Sequence, residues 1–98
     1  MIDDNRIKLI ADHYGLDHQC TKLLEEMSEL SVAIYSIKKK KEKSVEEIVD
    51  EFSNFLEELT DVDILIEQIK YKLADLNDKL KEIREYKLDR QIKRIEGE

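Results

Sequence analysis

Two acidic clusters at helical spacing, Glu25-Glu26-x-x-Glu29 and Glu57-Glu58-x-x-Asp61, are the stretches of this sequence best suited to chemistry. On an α-helix, residues three apart project about 60° from one another with Cβ atoms roughly 5–6 Å apart. Glu26 with Glu29, and Glu58 with Asp61, therefore each present two carboxylates on one side. Their setting is unusual. Leu23, Met27, Leu30, Ile34 and Ile37 fall on the flank of Glu26, and Phe55, Leu59, Val62, Leu65, Ile66 and Ile69 surround Glu58 at the same angular step. A carboxylate taken from water without a partner costs several kcal/mol or takes up a proton. Few cations lie close enough in the chain to pair four such groups, and a bound divalent metal would resolve the conflict.

Four carboxylates make an all-oxygen donor set, which suits Mg²⁺, or Mn²⁺, better than zinc or copper. A ferritin-like di-iron site needs Glu-x-x-His on paired helices, and neither His13 nor His18 stands three residues after a glutamate. His13, His18 and Cys20 form no constellation and read as structural or surface residues. The metal reading also needs the two clusters to meet. In an antiparallel hairpin turning near residues 40–44, Glu26/Glu29 lie about 12 residues before the turn and Glu58/Asp61 about 15 after it, a mismatch of roughly 4 Å. Glu47 and Asp50 share the spacing but would miss by roughly 12 Å. Glu47 is better placed as a cap.

The elements that must position these groups are long amphipathic helices. The first starts at Asp3 or Asp4 as cap, turns Ile7, Ile10, Ala11 and Tyr14 inward and ends at Gly15. Asp17 is placed to cap a second helix running to about Lys39, with apolar residues at 23, 27, 30, 34 and 37. The run Lys38–Lys41, Glu42 and Lys43 reads as a solvated turn, with a phosphate-gripping loop as the alternative. Ser44 and Glu47 have the spacing of a capping box and open a third helix, which carries Ile48, Phe52, Phe55, Leu59, Val62, Ile66 and Ile69 inward. Phe52, Phe55 and Tyr35 read as core rather than as a base-stacking platform. A break near residues 73–77, with Asp75 and Asn77 as caps, separates a fourth helix bearing Leu76, Leu80, Ile83, Leu88, Ile92 and Ile95. The alternative is one continuous rod.

Composition agrees with an all-α chain. The 98 residues contain no proline, two glycines and 42% charged side chains, which leaves little to build sheet or a second domain. A net charge of −7 argues against a nucleic-acid polymer or an anionic membrane as partner. The single cysteine and the lack of a transmembrane-length apolar run imply a soluble, reducing setting, the cytoplasm by default. A chain this short buries a modest core, so self-association is expected.

Tyr14-Gly15, Gln19, Lys22, Glu25-Glu26-x-x-Glu29-Leu30 and Ala33, followed by Glu58-x-x-Asp61-Val62, resemble the MazG-like nucleoside triphosphate pyrophosphohydrolases of the all-α NTP pyrophosphatase superfamily. The likeness covers most of the chain and is nearest to short single-domain members, including those of phages. The tail Tyr86-Lys87-Leu88-x-Arg90 with Arg94 is similar to their basic last helix. This resemblance implies magnesium-dependent hydrolysis between the α- and β-phosphates of a nucleoside triphosphate, giving a monophosphate and pyrophosphate. It assigns Glu26, Glu29, Glu58 and Asp61 to the metal and Glu25 to the attacking water. Family members often carry a lysine one turn before the second cluster, where this chain has Asn54. Substrate binding would then fall to Lys22 and Asn54, with Lys87, Arg90 and Arg94 reaching across a subunit interface.

The sequence thus predicts an all-α, antiparallel four-helix-bundle-like domain over residues 1–98, assembled as a homodimer or homotetramer. The competing functional reading is a non-catalytic helical interaction module whose acidic shoulders meet a partner's lysines.

Overall fold

The computed structural model describes residues 4–98. Among these, four α-helices account for nearly all of the chain: α1 (Asn5–Tyr14), α2 (Leu16–Lys38), α3 (Val45–Lys72) and α4 (Asn77–Glu96), with a 3₁₀ turn at Ala74–Leu76 before α4. Asp4 caps α1, its side chain accepting the N–H of Arg6, while Asp3 lies outside the described residues. Gly15 joins α1 to α2 at φ +87°, a conformation open to glycine at no steric cost, and its N–H closes the end of α1 on the Ala11 carbonyl. Asp17, expected as the cap of α2, lies instead within its first turn. Gly15 occupies the cap position without a side-chain bond, and the Asp17 carbonyl receives the Thr21 hydroxyl.

Ser44 and Glu47 form the capping box in both directions and start α3 at Val45. The break after α3 falls where it was expected. Neither Asp75 nor Asn77 supplies a side-chain cap there; backbone N–H groups of Leu73 and Leu76 tighten the chain into the 3₁₀ turn.

α1, α2 and α3 pack together, whereas α4 leaves through the turn and buries no residue. The extents of 49 × 44 × 22 Å describe a slab rather than a closed cylinder. Its apolar centre is small, consisting of Ile7, Ala11, Ala33, Val62 and Leu65. Much of the stripe expected to face inward is exposed in the single chain, including Ile10, Tyr14, Met27, Ile34, Ile37, Ile48, Phe52, Leu59 and Ile66. Tyr35 and Phe52 are likewise exposed rather than core, and Phe55 is half-buried. Leu76, expected on the fourth helix, lies in the 3₁₀ turn before it and is exposed, as are Ile83, Leu88, Ile92 and Ile95 on α4. The physical reason is geometric: with α4 burying none of its residues, three helices are too few to cover every side of each other's stripes.

The interface between α2 and α3 fixes their register. Gln19 on α2 bonds Gln68 on α3, and Lys43 just before α3 reaches the Ser36 carbonyl near the end of α2. Lys43 also pairs with Glu51 at 2.5 Å, with its own side chain 9% exposed. The lysine run is therefore not solvated throughout: its last member closes the α2–α3 connection. At the other end, Asp12 of α1 receives the Tyr71 hydroxyl and the Lys72 ammonium of α3, which pins α1 down.

Candidate metal centre

Three buried residues of the α1–α3 body are polar: Gln19, Glu26 and Gln68. On α2, Gln19 and Glu26 are two turns apart, as are Asp61 and Gln68 on α3, so each pair shares a face. Packing α2 on α3 brings those faces together. A carboxylate oxygen from each of Glu26, Glu58 and Asp61 then lies within 4.8 Å of the others. The Glu58 carboxyl is pushed above its ordinary value, first by loss of water, then by a hydrogen bond with the Glu29 carboxyl and by the neighbouring charges of Glu29, Glu26 and Asp61. Glu29 thus stands beside Glu58, but outside the group of three.

The decisive detail is that one oxygen of Glu26 and one of Glu58, both Oε2, are sealed from solvent with no hydrogen-bond partner. Buried polar atoms are normally satisfied, because leaving one unmatched forfeits its hydration without return. Two unmatched carboxylate oxygens beside a third carboxylate fit a hard cation such as Mg²⁺ or Mn²⁺, which takes oxygen donors. Glu26 and Glu58 together with Asp61 could hold such an ion, with Glu29 next to them.

Lys22 lies against this cluster, 3.3 Å from Glu25 and 3.4 Å from Glu26. Its ammonium is held above its ordinary pKa, chiefly by the bond to Glu25 and then by Glu26. Glu25 itself is exposed, on the solvent side of the sealed carboxylates. A recess of about 530 Å³ opens from this point, lined at one end by Lys22, Glu25, Glu26 and Asp61 and at the other by His18, Gln19 and Gln68.

The remaining expected substrate contacts are not gathered here. Asn54 is exposed one turn before Glu58, and Lys87, Arg90 and Arg94 are exposed on α4, none of them lining the recess. Arg90 instead lies over the Tyr86 ring, 5.8 Å from its centroid. Sequence reasoning missed Gln68 altogether and gave Gln19 no role. The two-turn offset of each from a cluster acid was the available signal, though amides at helical spacing are too common to stand out before the helices are paired. Compared with known proteins, the chain matches no family model, no curated protein and no solved structure.

Proposed function

We propose that this chain is a metal-dependent nucleoside triphosphate pyrophosphohydrolase of the MazG-like kind. Water attacks at the α-phosphorus, the bond to the bridging oxygen toward the β-phosphate breaks, and a nucleoside monophosphate and pyrophosphate leave. The observation that carries this reading is the pair of sealed, unpartnered oxygens on Glu26 and Glu58 beside Asp61. Glu26, Glu58, Asp61 and the adjacent Glu29 would hold magnesium, with manganese as a substitute. Bound there, the cation would offset charge developing on phosphorus and the leaving group and make water a better nucleophile.

The chain's own residues do the rest. Glu25, exposed at the rim, accepts a proton from the attacking water and orients it. Lys22, already charged and lying between Glu25 and Glu26, turns from the carboxylates to a phosphate oxygen when substrate arrives. Asn54 offers an amide where a lysine would add charge. The bonds Gln19–Gln68 and Ser36–Lys43 support an antiparallel α2–α3 hairpin.

Self-association completes the proposal. Exposed Met27, Ile34 and Ile37 on α2, Phe52, Leu59 and Ile66 on α3 and the apolar stripe of α4 leave more hydrophobic surface than a monomer usually shows. In a homodimer or homotetramer, Lys87, Arg90 and Arg94 from one copy's α4 would reach the triphosphate held by another. No helix among the described residues is long and apolar enough to cross a membrane. The exposed, free Cys20 suits a reducing cytoplasm. That exposed apolar surface also favours a second reading, a non-catalytic interaction module.

Magnesium separates the two. A pyrophosphate-release screen across ordinary and damaged ribo- and deoxynucleotides, run with and without Mg²⁺, should find metal-dependent release. Mg²⁺ or Mn²⁺ should also raise the melting temperature. Silence across the panel and an unchanged melt would leave the interaction module as the better account.

A further inference from the structure

A second recess, of about 900 Å³, lies where α4 turns away from the other helices, and its charge is the reverse of the first. Lys8 of α1, Lys70 of α3 and Lys81 and Arg84 of α4 line it, and no acidic residue does. In a chain with 24 acidic and 17 basic residues, four cations around one hollow with no carboxylate are the opposite of its average surface. Nearby acids are engaged elsewhere: Asp12 receives Tyr71 and Lys72, and Glu82 pairs with Lys79. Lys8, Lys70 and Lys81 form no ion pair among the described residues. Arg84 meets Glu85 through one guanidinium nitrogen at 2.9 Å, an exposed pair that leaves its other N–H groups in hand.

A cleft lined by one sign of charge on apolar walls focuses its field and concentrates the opposite ion. The walls here are the Tyr71 ring, Leu80 and Ile83. The cations come from three helices around the hollow rather than in a row along one, which suits a compact charge better than an extended acidic segment. Four of them suit more than one negative charge, and a diphosphate carries several in a small volume, with oxygens that both lysine and arginine bind. The size of the recess lies within the range of roughly 300–1,000 Å³ usual for small-molecule sites.

We infer that this recess binds a small organic diphosphate, its phosphates among Lys8, Lys70, Lys81 and Arg84 and its apolar body against Leu80, Ile83 and the Tyr71 ring. The site is separate from the acidic cluster. Lys70 stands nine residues beyond Asp61 on α3, about 14 Å along the axis and half a turn around it, and no residue lines both recesses. Binding here needs no metal and draws on nothing in the hydrolytic reading. An occupant would also tie α4, which buries no residue of its own, to α1 and α3 through a shared ligand.

Calorimetric titration of the full chain in EDTA tests the site, since without a metal the acidic cluster repels anions. Inorganic pyrophosphate and geranyl diphosphate are the probes. Both should bind, geranyl diphosphate at least about tenfold tighter, the contribution of roughly two buried methylene groups. Replacing two exposed cations together, Lys70→Gln with Lys81→Gln, should weaken both by at least about tenfold. Ile83→Ser should narrow the gap between the probes while leaving pyrophosphate binding as it was, and Lys93→Gln, on α4 but outside the recess, should change neither. No binding in EDTA, or a loss in Lys93→Gln equal to that in the double variant, overturns the inference. Sedimentation addresses the other occupant: if the double variant dissociates an assembled wild type, a second copy fills the recess and the inference falls as well. Metal-free binding without any hydrolysis would sink the enzymatic reading alone, and hydrolysis without metal-free binding would sink this site alone.

Discussion

The interface between α2 and α3 gathers charge in two places, and they are opposites. Near the connection, Lys43 is matched: its ammonium bonds the Ser36 carbonyl and Glu51. At the middle, Glu26, Glu58 and Asp61 crowd together with like charge, and two of their oxygens have no partner at all. One set of helices thus closes one site from its own side chains and leaves the other open for a cation. A buried charge that the chain satisfies is read as architecture; one that it leaves wanting points to a ligand.

The comparison can be broken most forcefully at the acidic end. Glu26→Ala should lower pyrophosphate release by more than about 100-fold, because the cation it helps to hold supplies several kcal/mol of transition-state stabilisation. Glu58→Gln should do the same, yet leave the metal-free protein as stable as the wild type or more so, since it removes desolvated, repelled charge. A metal-free melt that falls in Glu58→Gln would mean that the crowding is relieved by some internal partner. Lys43→Met should act in the reverse sense. It leaves Glu51 without its cation and should cost about 2 kcal/mol, roughly a 10 °C drop in melting temperature, with the Mg²⁺ response intact.

A smaller effect belongs to α4, where nothing is buried. Ile92→Asp should leave secondary structure unchanged but weaken self-association by about tenfold in sedimentation, the loss of one buried side chain from an interface. An unchanged association constant would move the interface off α4. The smallest effect is at the surface clamp of α1. Lys72 first, then Tyr71, hold the Asp12 carboxyl below its ordinary value of 3.8. A depressed carboxylate contributes stability that is complete above its unfolded value and is lost as pH falls through the folded one. Between neutral pH and about pH 3, Asp12→Asn should therefore lose less melting temperature than the wild type, by a few degrees at most. Parallel melts of both proteins would show it, and coincident slopes would remove the clamp.

Helix identity was legible because it is local. Gly15, the Ser44–Glu47 box and the apolar periodicity act within a turn or two, and the four helices stand where these signals put them. The cap at Asp17 failed for an equally local reason: Gly15 had already taken the position, so the side chain one step beyond the helix start had no N–H to claim. The acids of the candidate site were legible too, because a charge on an apolar flank conflicts with its own helix. What escaped were the polar partners that the opposite helix supplies. Lys43 looked like one lysine among several until Glu51 and Ser36 came to meet it, and Gln68 had no meaning without Gln19.

By itself the sequence determined that this chain is helical, where α3 begins, and which carboxylates are placed against an apolar stripe, since periodicity and capping are properties of neighbouring residues. Only the tertiary structure decided that Glu26, Glu58 and Asp61 meet while Glu29 stands beside them, that two amides close ranks at the end of the same recess, and that α4 buries none of its own residues. The reason is physical: pairing two helices fixes which faces lose water, and that loss turns an ordinary glutamate or glutamine into a group that needs a partner.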